Sequence, residues 1–452
     1  MNFGLRYDFE AQPEGVPRDK NNLGPRFGFA WNLFKNNRTV IRGGAGMYYQ
    51  PLFAATAFAS KILGKEQQIT SIFVSPLTPA APGSVCGSGT NQAIPASFCF
   101  FNALVAQGIL TLPASRVVPE AAWQQLLGFS RATSTNRVVQ RLDDNAENPY
   151  SIQASLGIDH QLGSDWNLSV NYLFNRGVHL LWNRQVNALP NPADLDPFGR
   201  PRLTRRANPN LLVDYSIETA GNSVYHGLAT SLTKRFSRHY QMIASYTFGK
   251  AIDDNIDINQ NFGPQNPYNT RDERSRSIFD VRHRLSIAGV VESPFSNFVL
   301  RNWTVSPIIT SSSGYAFNIV TDTDVNGDTQ DGNERLFGVG RNTGIGAKYF
   351  TTDLRLARRF GFGADDSGRY VEFIAEAFNL FNRVNFRDVN RSTGGLLTMA
   401  QVQSALSQRG YTLLLEGNSR VKASSAIPPT LFSGYTPAFD PRILQFAVKV
   451  NF

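Results

Sequence analysis

Residues 149–182, PYSIQASLGIDHQLGSDWNLSVNYLFNRGVHLLW, contain the pattern that decides the fold. Two long strands, 149–162 and 166–182, are predicted on either side of Gly163-Ser164-Asp165, because tight turns favour Gly, Ser and Asp. The apolar residues that alternate with polar ones in the second strand are Trp166, Leu168, Val170, Tyr172 and Phe174. About ten residues cross a bilayer as a tilted strand, whereas strands of soluble proteins average about 5–6 residues. The segment therefore predicts a membrane-spanning β-hairpin.

The same hairpin pattern recurs along the chain. Four further pairs of long strands are predicted, at 25–34 and 38–50, 224–236 and 240–252, 281–292 and 300–314, and 352–362 and 369–381. Short turns join the two strands of each pair, whereas the other connections are long, at 51–148, 183–223, 253–280, 315–350 and 382–440. This asymmetry is typical of a transmembrane antiparallel β-barrel with short periplasmic turns and long extracellular loops. Two stretches inside the loops, 119–128 and 398–408, are predicted to be short helices.

Single strands add to the hairpins and set the expected size of the barrel. The additional strands are Met1–Glu10, one strand after Gln67, Leu211–Thr219 and the final strand, which bring the total to roughly 14. Small self-contained barrels have about 8 strands, and the largest transporter barrels have about 22. We therefore expect an all-β chain in which residues 1–452 form the C-terminal part of a larger barrel of about 22 strands.

The final strand ends on an aromatic residue. Its apolar residues, which alternate with Gln445, Ala447, Lys449 and Asn451, are Leu444, Phe446, Val448, Val450 and Phe452. An amphipathic strand that ends in this way indicates a C-terminal signal for barrel-insertion machinery, with Phe452 as its last residue. The alternative interpretation is an edge strand of a soluble sheet.

Composition excludes several classes of protein. The 452 residues carry a formal net charge of +9 and a mean hydropathy of −0.24, and 17% of them are charged, against about 25% in typical domains. The sequence contains no apolar run near the ~18 residues of a membrane-spanning helix. It also contains no basic motif or recognition helix that would indicate nucleic-acid binding. Gly-x-Ser-x-Gly, His-Glu-x-x-His and P-loop motifs are absent from the sequence, so we do not expect an enzyme.

Several short segments, taken in order, resemble one family. They are 25–31 (PRFGFAW), 39–44 (TVIRGG), 148–150 (NPY), 225–228 (YHGL), 234–236 (KRF), 244–250 (ASYTFGK), 280–284 (DVRHR), 376–382 (EAFNLFN) and Phe452. The chain resembles the barrel of TonB-dependent outer-membrane receptors, in particular the Oar-like group with a carboxypeptidase-regulatory-like N-terminal domain. The resemblance implies a bacterial outer-membrane protein whose full-length form uses energy to take up a bulky, scarce ligand such as an iron chelate, cobalamin or an oligomer.

The resemblance also implies partners. Outer-membrane lipid, lipopolysaccharide and the barrel assembly machinery are expected partners, and nucleic acid is not. The signal peptide, TonB box and plug of such receptors have no counterpart in residues 1–452. We therefore expect contact with the TonB complex only through an N-terminal region that this sequence does not include. The alternative function is a non-transport surface, adhesion or export-associated barrel that acts through its long loops.

One loop has the spacing of a calcium site. Its oxygen-bearing side chains are Asp322, Asp324, Asn326, Asp328 and Glu334. The first four occupy alternate positions, and Gly327 stands where a calcium loop turns sharply. Asn333 stands where an EF-hand has its final Glu, and no helices flank the loop, so we expect a Ca²⁺ loop outside the EF-hand family. The alternative is a solvated acidic turn, and no other cofactor is predicted.

Two further features lie in the long connections. Cys86 and Cys99 are the two cysteines of the chain, and they predict a loop disulfide and hence an oxidising compartment. The alternative is a pair of free thiols. Segments 253–257 and 271–276 carry charges of both signs, and we expect them to be solvated or to pair internally, with a substrate role as the alternative.

Overall fold

Most of the chain folds into β-strands, and the longest of them are joined as antiparallel hairpins. The strands in chain order are β1 (Asn2–Tyr7), β2 (Leu23–Asn32), β3 (Thr39–Tyr49), β4 (Ser71–Ile72), β5 (Arg137–Leu142), β6 (Tyr150–Leu162), β7 (Trp166–Gln185), β8 (Ala188–Leu195), β9 (Pro201–Arg206), β10 (Val213–Ser237), β11 (Tyr240–Asp253), β12 (Ser275–Arg276), β13 (His283–Glu292), β14 (Trp303–Ser312), β15 (Ala316–Phe317), β16 (Gly344–Ile345), β17 (Tyr349–Gly361), β18 (Tyr370–Phe378), β19 (Phe386–Val389), β20 (Tyr411–Leu414), β21 (Arg420–Ala423), β22 (Tyr435–Ala438) and β23 (Ile443–Asn451). The helices are α1 (Ala96–Ala106), α2 (Glu120–Leu127) and a 3₁₀ turn, Thr270–Glu273.

These elements come from a computed structural model of the chain. It describes residues 1–12, 16–35, 38–52, 56, 71–72, 84–86, 96–110, 118–128, 137–196, 199–255, 263–320, 324–330, 334–335, 339–362, 369–389, 391, 411–414, 420–423 and 435–452.

One antiparallel path of twelve strands forms the wall. Its order is β1-β2-β3-β6-β7-β10-β11-β13-β14-β17-β18-β23. The predicted all-β, antiparallel fold is therefore confirmed. The path has twelve strands instead of the predicted roughly 14, for two reasons. Of the strand predicted after Gln67, the described residues are Ser71–Ile72, which pair with β5 beside the path. The predicted strand Leu211–Thr219 is the beginning of β10.

All five predicted hairpins are present. The strand pairs are β2–β3, β6–β7, β10–β11, β13–β14 and β17–β18. Gly163, with φ of +80°, takes the left-handed conformation in the β6–β7 turn, and Arg238 and His239 take it in the β10–β11 turn. The β10–β11 turn is also fixed by Lys234, whose Nζ donates to the carbonyl oxygens of Ser237 (2.9 Å) and Tyr240 (3.0 Å).

The strands have one apolar and one polar face, which we call the outward row and the inward row. Tyr172 of β7 stands opposite Leu228 of β10 in the outward row, and both are about two fifths exposed, at 44% and 41%. Ser169 stands opposite Ser231 in the inward row. Large apolar side chains exposed along a whole wall are unfavourable in water and favourable in lipid. The alternation therefore places the outward row against the bilayer.

Aromatic side chains mark the two edges of the outward row. At the short-turn end lie Trp166, Tyr240 and Trp303, while Phe174 packs on His226 toward the loops, with ring centroids 5.2 Å apart. Trp166 and Phe174 are eight residues apart, about 26 Å along the strand and about 20 Å across a membrane at a tilt of ~40°. Two such girdles flank the apolar band of outer-membrane barrels, which is about 25 Å tall.

The path has two edges. Among the described residues, β1 pairs only with β2 and β23 pairs only with β18, and every residue of both strands is exposed. Unpaired backbone groups are strongly unfavourable in lipid, so each edge requires a partner strand in the membrane. The larger barrel of about 22 strands stays a prediction. Phe452 follows β23 at 93% exposure in the outward row, and its role as an insertion signal also stays a prediction.

The helices lie in the long connections. The prediction of a helix at 119–128 is confirmed by α2, α1 was not predicted, and the predicted helix 398–408 lies outside the described residues. Among the described helices, none combines the length and apolar character that crossing a membrane requires.

The assignment of faces predicts opposite effects for neighbouring substitutions. Val170→Arg puts a charge at the middle of the outward row, and we expect it to destabilise the inserted barrel by about 2–4 kcal/mol. Ser169→Arg is the matched control, since it adds the same side chain to the inward row, and we expect little loss. The measurement is urea unfolding in lipid vesicles, and equal losses for the two variants would contradict the assignment.

Candidate functional site in the long loops

Strands β7 and β10 continue beyond the membrane and carry the loops. They have 20 and 25 residues, whereas about ten residues cross a bilayer. In the extension, Gln185 of β7 pairs with Tyr215 of β10, and both are buried. Gln185 Oε1 accepts a hydrogen bond from the N–H of Asp214 (3.0 Å), and its Nε2 lies 3.5 Å from the carbonyl oxygen of Asp328. The extended strands therefore hold the loop that contains the predicted calcium residues.

Two other loops also hold this segment. The hairpin β8–β9 contributes Arg202, whose Nε donates to the Val325 carbonyl (2.9 Å), and Leu203, whose N–H donates to the Asn326 carbonyl (2.6 Å). The β11–β13 connection contributes Gln265, whose carbonyl oxygen accepts a hydrogen bond from Asn326 Nδ2 (2.7 Å). Three loops thus meet around residues 324–335.

The segment folds as a tight turn around the Asp324 carboxylate. Asp324 accepts hydrogen bonds from the N–H groups of Gly327 (2.6 Å), Asp328 (3.1 Å) and Thr329 (2.8 Å). Gly327 has φ of +84°, and a Cβ at this position would lie 2.4 Å from Thr204 Cγ2. Both the left-handed backbone and the close approach of β9 therefore require glycine.

Three carboxylates converge beside this turn. Oxygen atoms of Asp324, Asp328 and Glu334 all lie within 4.8 Å of one another. Asp328 and Glu334 are almost completely buried, at 3% and 4% exposure. Glu334 Oε1 accepts a hydrogen bond from Gln265 Nε2 (2.6 Å). Oxygen ligands of this kind are those that hard cations such as Ca²⁺ prefer.

The five predicted metal residues have different placements. Asp324, Asp328 and Glu334 are brought together, as described above. Asn326 lies in the same turn, but its amide binds the protein: Oδ1 accepts a hydrogen bond from the Asp328 N–H (2.8 Å), and Nδ2 donates to Gln265. Asp322 lies outside the described residues. The alternative of a fully solvated acidic turn is wrong for Asp328 and Glu334, because both are buried.

Burial changes the acidity of the cluster. Burial, together with the nearby charge of Asp324, raises the pKa of Asp328 to about 7. Burial and the charge of Asp328 also raise the pKa of Glu334 well above its ordinary range. Neighbouring carboxylates repel each other when both are ionised, so the cluster holds protons near neutral pH. A divalent cation would compensate the same negative charge.

A family model agrees with the fold and with its membrane position. The model described as "Outer membrane beta barrel domain" matches residues 2–338. The chain belongs to this family. The predicted location in the bacterial outer membrane is thereby confirmed, as is the membrane-barrel part of the resemblance. Curated protein sequences gave no match to the barrel.

Solved structures of outer-membrane proteins resemble the barrel at low sequence identity. The outer-membrane transporter YddB from Escherichia coli is 10% identical, with a TM-score of 0.42 over 95% of this chain and 41% of its own. The siderophore receptor PirA from Acinetobacter baumannii is 12% identical, with a TM-score of 0.43 over 85% and 40%. The ferric-catecholate import receptor Fiu from E. coli K12 is 12% identical, with a TM-score of 0.43 over 97% and 38%. The barrel spans about two fifths of the length of these proteins.

Buried ion pairs between loops are a feature of the site that the sequence did not reveal. Arg335 Nη2 lies 2.6 Å from Glu273 Oε1, and both side chains are 3% exposed. Arg341 pairs with Asp253, and it also donates to the Glu273 carbonyl (2.7 Å). The expectation that these segments are solvated or pair internally is met by Arg274 and Asp254 (2.7 Å), but it is wrong for Asp253 and Glu273, which are buried and pair with arginines outside the two segments. The sequence signal was present, since both acids lie in the mixed-charge segments, but their partners lie 62 and 88 residues away.

A small apolar core lies in the connection between β3 and β6. Cys86 and Cys99 form a disulfide, with Cα atoms 5.7 Å apart. Phe100 of α1 packs on Trp123 of α2, with ring centroids 4.6 Å apart, and Leu126 is 1% exposed in the same cluster. The disulfide thus joins the start of α1 to a segment that hydrogen-bonds to α2 through the Cys86 N–H and the Leu126 carbonyl (2.9 Å). An oxidising compartment stays a prediction.

The buried cluster predicts a loop that weakens as pH rises. The folded pKa of Asp328, about 7, lies above its ordinary value of 3.8, so ionisation disfavours the folded loop. Its contribution is full below pH about 4 and is lost as pH rises through about 7. We expect amide-exchange protection of residues 324–330, measured with a chelator present, to fall about tenfold or more from pH 5 to pH 8.

Two variants test the cause of that fall. Asp328→Asn removes one of the two groups with a raised pKa and should reduce the pH dependence. Asp272→Asn, an exposed acid of the β11–β13 loop, is the matched control and should leave it unchanged. Equal protection at both pH values in the unmodified barrel would contradict the assignment.

Proposed function

We propose that this barrel is the C-terminal membrane part of a TonB-dependent receptor that takes up a bulky, scarce ligand, such as an iron chelate, cobalamin or an oligomer. The observation that carries the proposal is the two-sided wall, with its apolar outward row and polar inward row. Such a wall surrounds a polar interior, as a transport barrel needs. Membership in the outer membrane beta barrel domain family supports the membrane position.

The inward row carries ion pairs rather than a sealed apolar core. The pairs are Arg42–Asp159 (3.0 Å), Arg355–Glu376 (3.6 Å) and Arg359–Glu372 (3.0 Å). The arginine side chains of these pairs are about half exposed, at 57%, 45% and 54%. Exposed charges of both signs along the interior suit contact with a polar ligand or with a protein segment inside the barrel.

Deletion of the gene tests uptake against the surface-module alternative. We expect the deletion strain to lose uptake of one labelled ligand among a ferric chelate, cobalamin and a glycan fragment. A protonophore should abolish the same uptake in the parent strain, because the proposed driving energy comes from the inner membrane. The unmodified gene should restore uptake, and the Val170→Arg gene should not. Unchanged uptake with reduced cell adhesion would support the non-transport alternative.

We also propose that the three-loop cluster binds Ca²⁺. The proposal rests on the convergence of Asp324, Asp328 and Glu334 and on the alternate spacing of oxygen-bearing residues before Glu334. These carboxylates would hold the ion, and its charge would compensate theirs. Since hairpin β8–β9 and Gln265 contact the same turn, bound Ca²⁺ would stabilise the arrangement of three loops.

Calorimetric titration of the barrel with CaCl₂ tests this second proposal. We expect binding with a Kd of about 10⁻⁴–10⁻³ M, the range of extracellular calcium modules. Asp328→Asn should weaken binding at least about tenfold, because it removes a buried carboxyl group that would lose its proton and bind the ion. Asp272→Asn is again the matched control, since it removes an equal charge outside the cluster. Absence of binding at millimolar Ca²⁺, or equal binding by both variants, would contradict the proposal.

A further inference from the structure

One arginine faces the membrane instead of the interior. Arg358 lies in the outward row of β17, opposite Trp303 of β14 and Phe373 of β18. The flanking Arg355 and Arg359 face inward, where each pairs with a glutamate. Among the described residues, Arg358 has no carboxylate within ion-pair distance. It is therefore a cation on the lipid side with no anionic partner in the part of the chain that the structure describes.

Aromatic rings surround the Arg358 guanidinium. Its central carbon lies 4.5 Å from the ring centroid of Phe360, 5.3 Å from that of Trp303 and 5.4 Å from that of Phe298. Nη2 donates to the Phe298 carbonyl oxygen, while Nε is buried and has no hydrogen-bond partner among the residues that the structure describes. Arg301 also lies over the Phe298 ring, with its central guanidinium carbon 5.4 Å from the ring centroid. Cation–π contacts hold the guanidinium in place but do not neutralise its charge.

An apolar groove opens beside this cation. It has a volume of about 530 Å³, and its lining includes Trp303, Leu356, Phe360, Phe373, Phe446 and Val448. The groove runs across the outward faces of β14, β17, β18 and β23. A strand that paired with the β23 edge would extend the sheet sideways and leave this face open. The groove therefore faces the hydrocarbon region of the bilayer, and its cation lies near the short turns.

We propose that this groove binds one anionic glycerophospholipid of the periplasmic leaflet. The phosphate would bind Arg358, and an acyl chain would lie along Phe373 and Phe446. A guanidinium in a partly dehydrated setting needs an anion, and it binds phosphate through two parallel hydrogen bonds. Short turns face the periplasm in barrels of this family type, so the inner-leaflet phosphates lie at the level of Arg358. The inference is independent of any transported ligand.

Fluorescence quenching in vesicles tests the site. The barrel is isolated from outer membranes and reconstituted in phosphatidylcholine that contains a small fraction of lipid with brominated acyl chains. The brominated lipid is either phosphatidylglycerol or phosphatidylcholine. The fluorescence of Trp303 is obtained by subtracting the emission of the Trp303→Phe variant from that of the unmodified barrel. We expect brominated phosphatidylglycerol to occupy the site about fivefold more than brominated phosphatidylcholine, the factor for one basic side chain at an anionic surface.

Substitutions separate this site from general lipid contact. Arg358→Gln should remove the preference, Arg358→Lys should keep part of it, and the inward-facing control Arg355→Gln should keep all of it. High salt should reduce the preference in the unmodified barrel, which tests the charge even if Arg358→Gln fails to assemble. Equal quenching by the two lipids in the unmodified barrel, a preference that survives Arg358→Gln, or a preference insensitive to salt would overturn the proposal.

Discussion

The pairing of backbone N–H and C=O groups in a medium without water is the constraint on which the rest of the structure depends. The ten inner strands of the twelve-strand path satisfy these groups through antiparallel neighbours on both sides, and the two edge strands do so on one side. Once pairing fixes the pleat, alternate side chains must face lipid and interior, so the outward and inward rows follow from the ladder. The same pairing continues past the bilayer in β7 and β10, where Gln185 and Tyr215 form the platform that supports the loops.

Above that platform, buried ion pairs join the loops to one another. Arg335–Glu273 and Arg341–Asp253 are buried ion pairs between connections that are far apart in sequence. Buried pairs add little net stability, because dehydration offsets their attraction, but loss of either partner leaves an unpaired buried charge. Such pairs therefore disfavour other loop arrangements. The carboxylates of Asp324, Asp328 and Glu334 have no such arginine at ion-pair distance among the described residues, which is why protons or a cation must balance them.

The long strands and their turns were predictable, because period-two alternation and turn residues are local signals. The sequence predicted a separate strand at 211–219, but this segment is the beginning of β10. The wrong boundary has a local cause. Gly221 and Asn222 resemble a turn in sequence, but they lie in an irregularity where the register with β7 shifts and pairing resumes at Ser223. The helix α1 could not be read from periodicity, since its sequence ASFCFFNALVA is apolar on nearly every side. The contact of Gln265 with Glu334 depends on the docking of two loops, which no local pattern encodes.

The chain carries 35 Arg against 9 Lys, and the positions of its basic side chains suit arginine. In the inward row and in the loops, an arginine side chain stays charged although part or all of it is removed from water. It binds carbonyl groups as well as carboxylates, as Arg341 does. Arginine suits this role, because it keeps its charge and offers five donors, whereas a buried ammonium loses its proton more readily. The buried Lys234 supports the argument: its Nζ is surrounded by backbone carbonyls of a tight turn and by the Tyr240 ring, 3.8 Å away. Lys234 is thus a compact cation that the chain itself coordinates, whereas Arg335 and Arg341 meet partners from other loops.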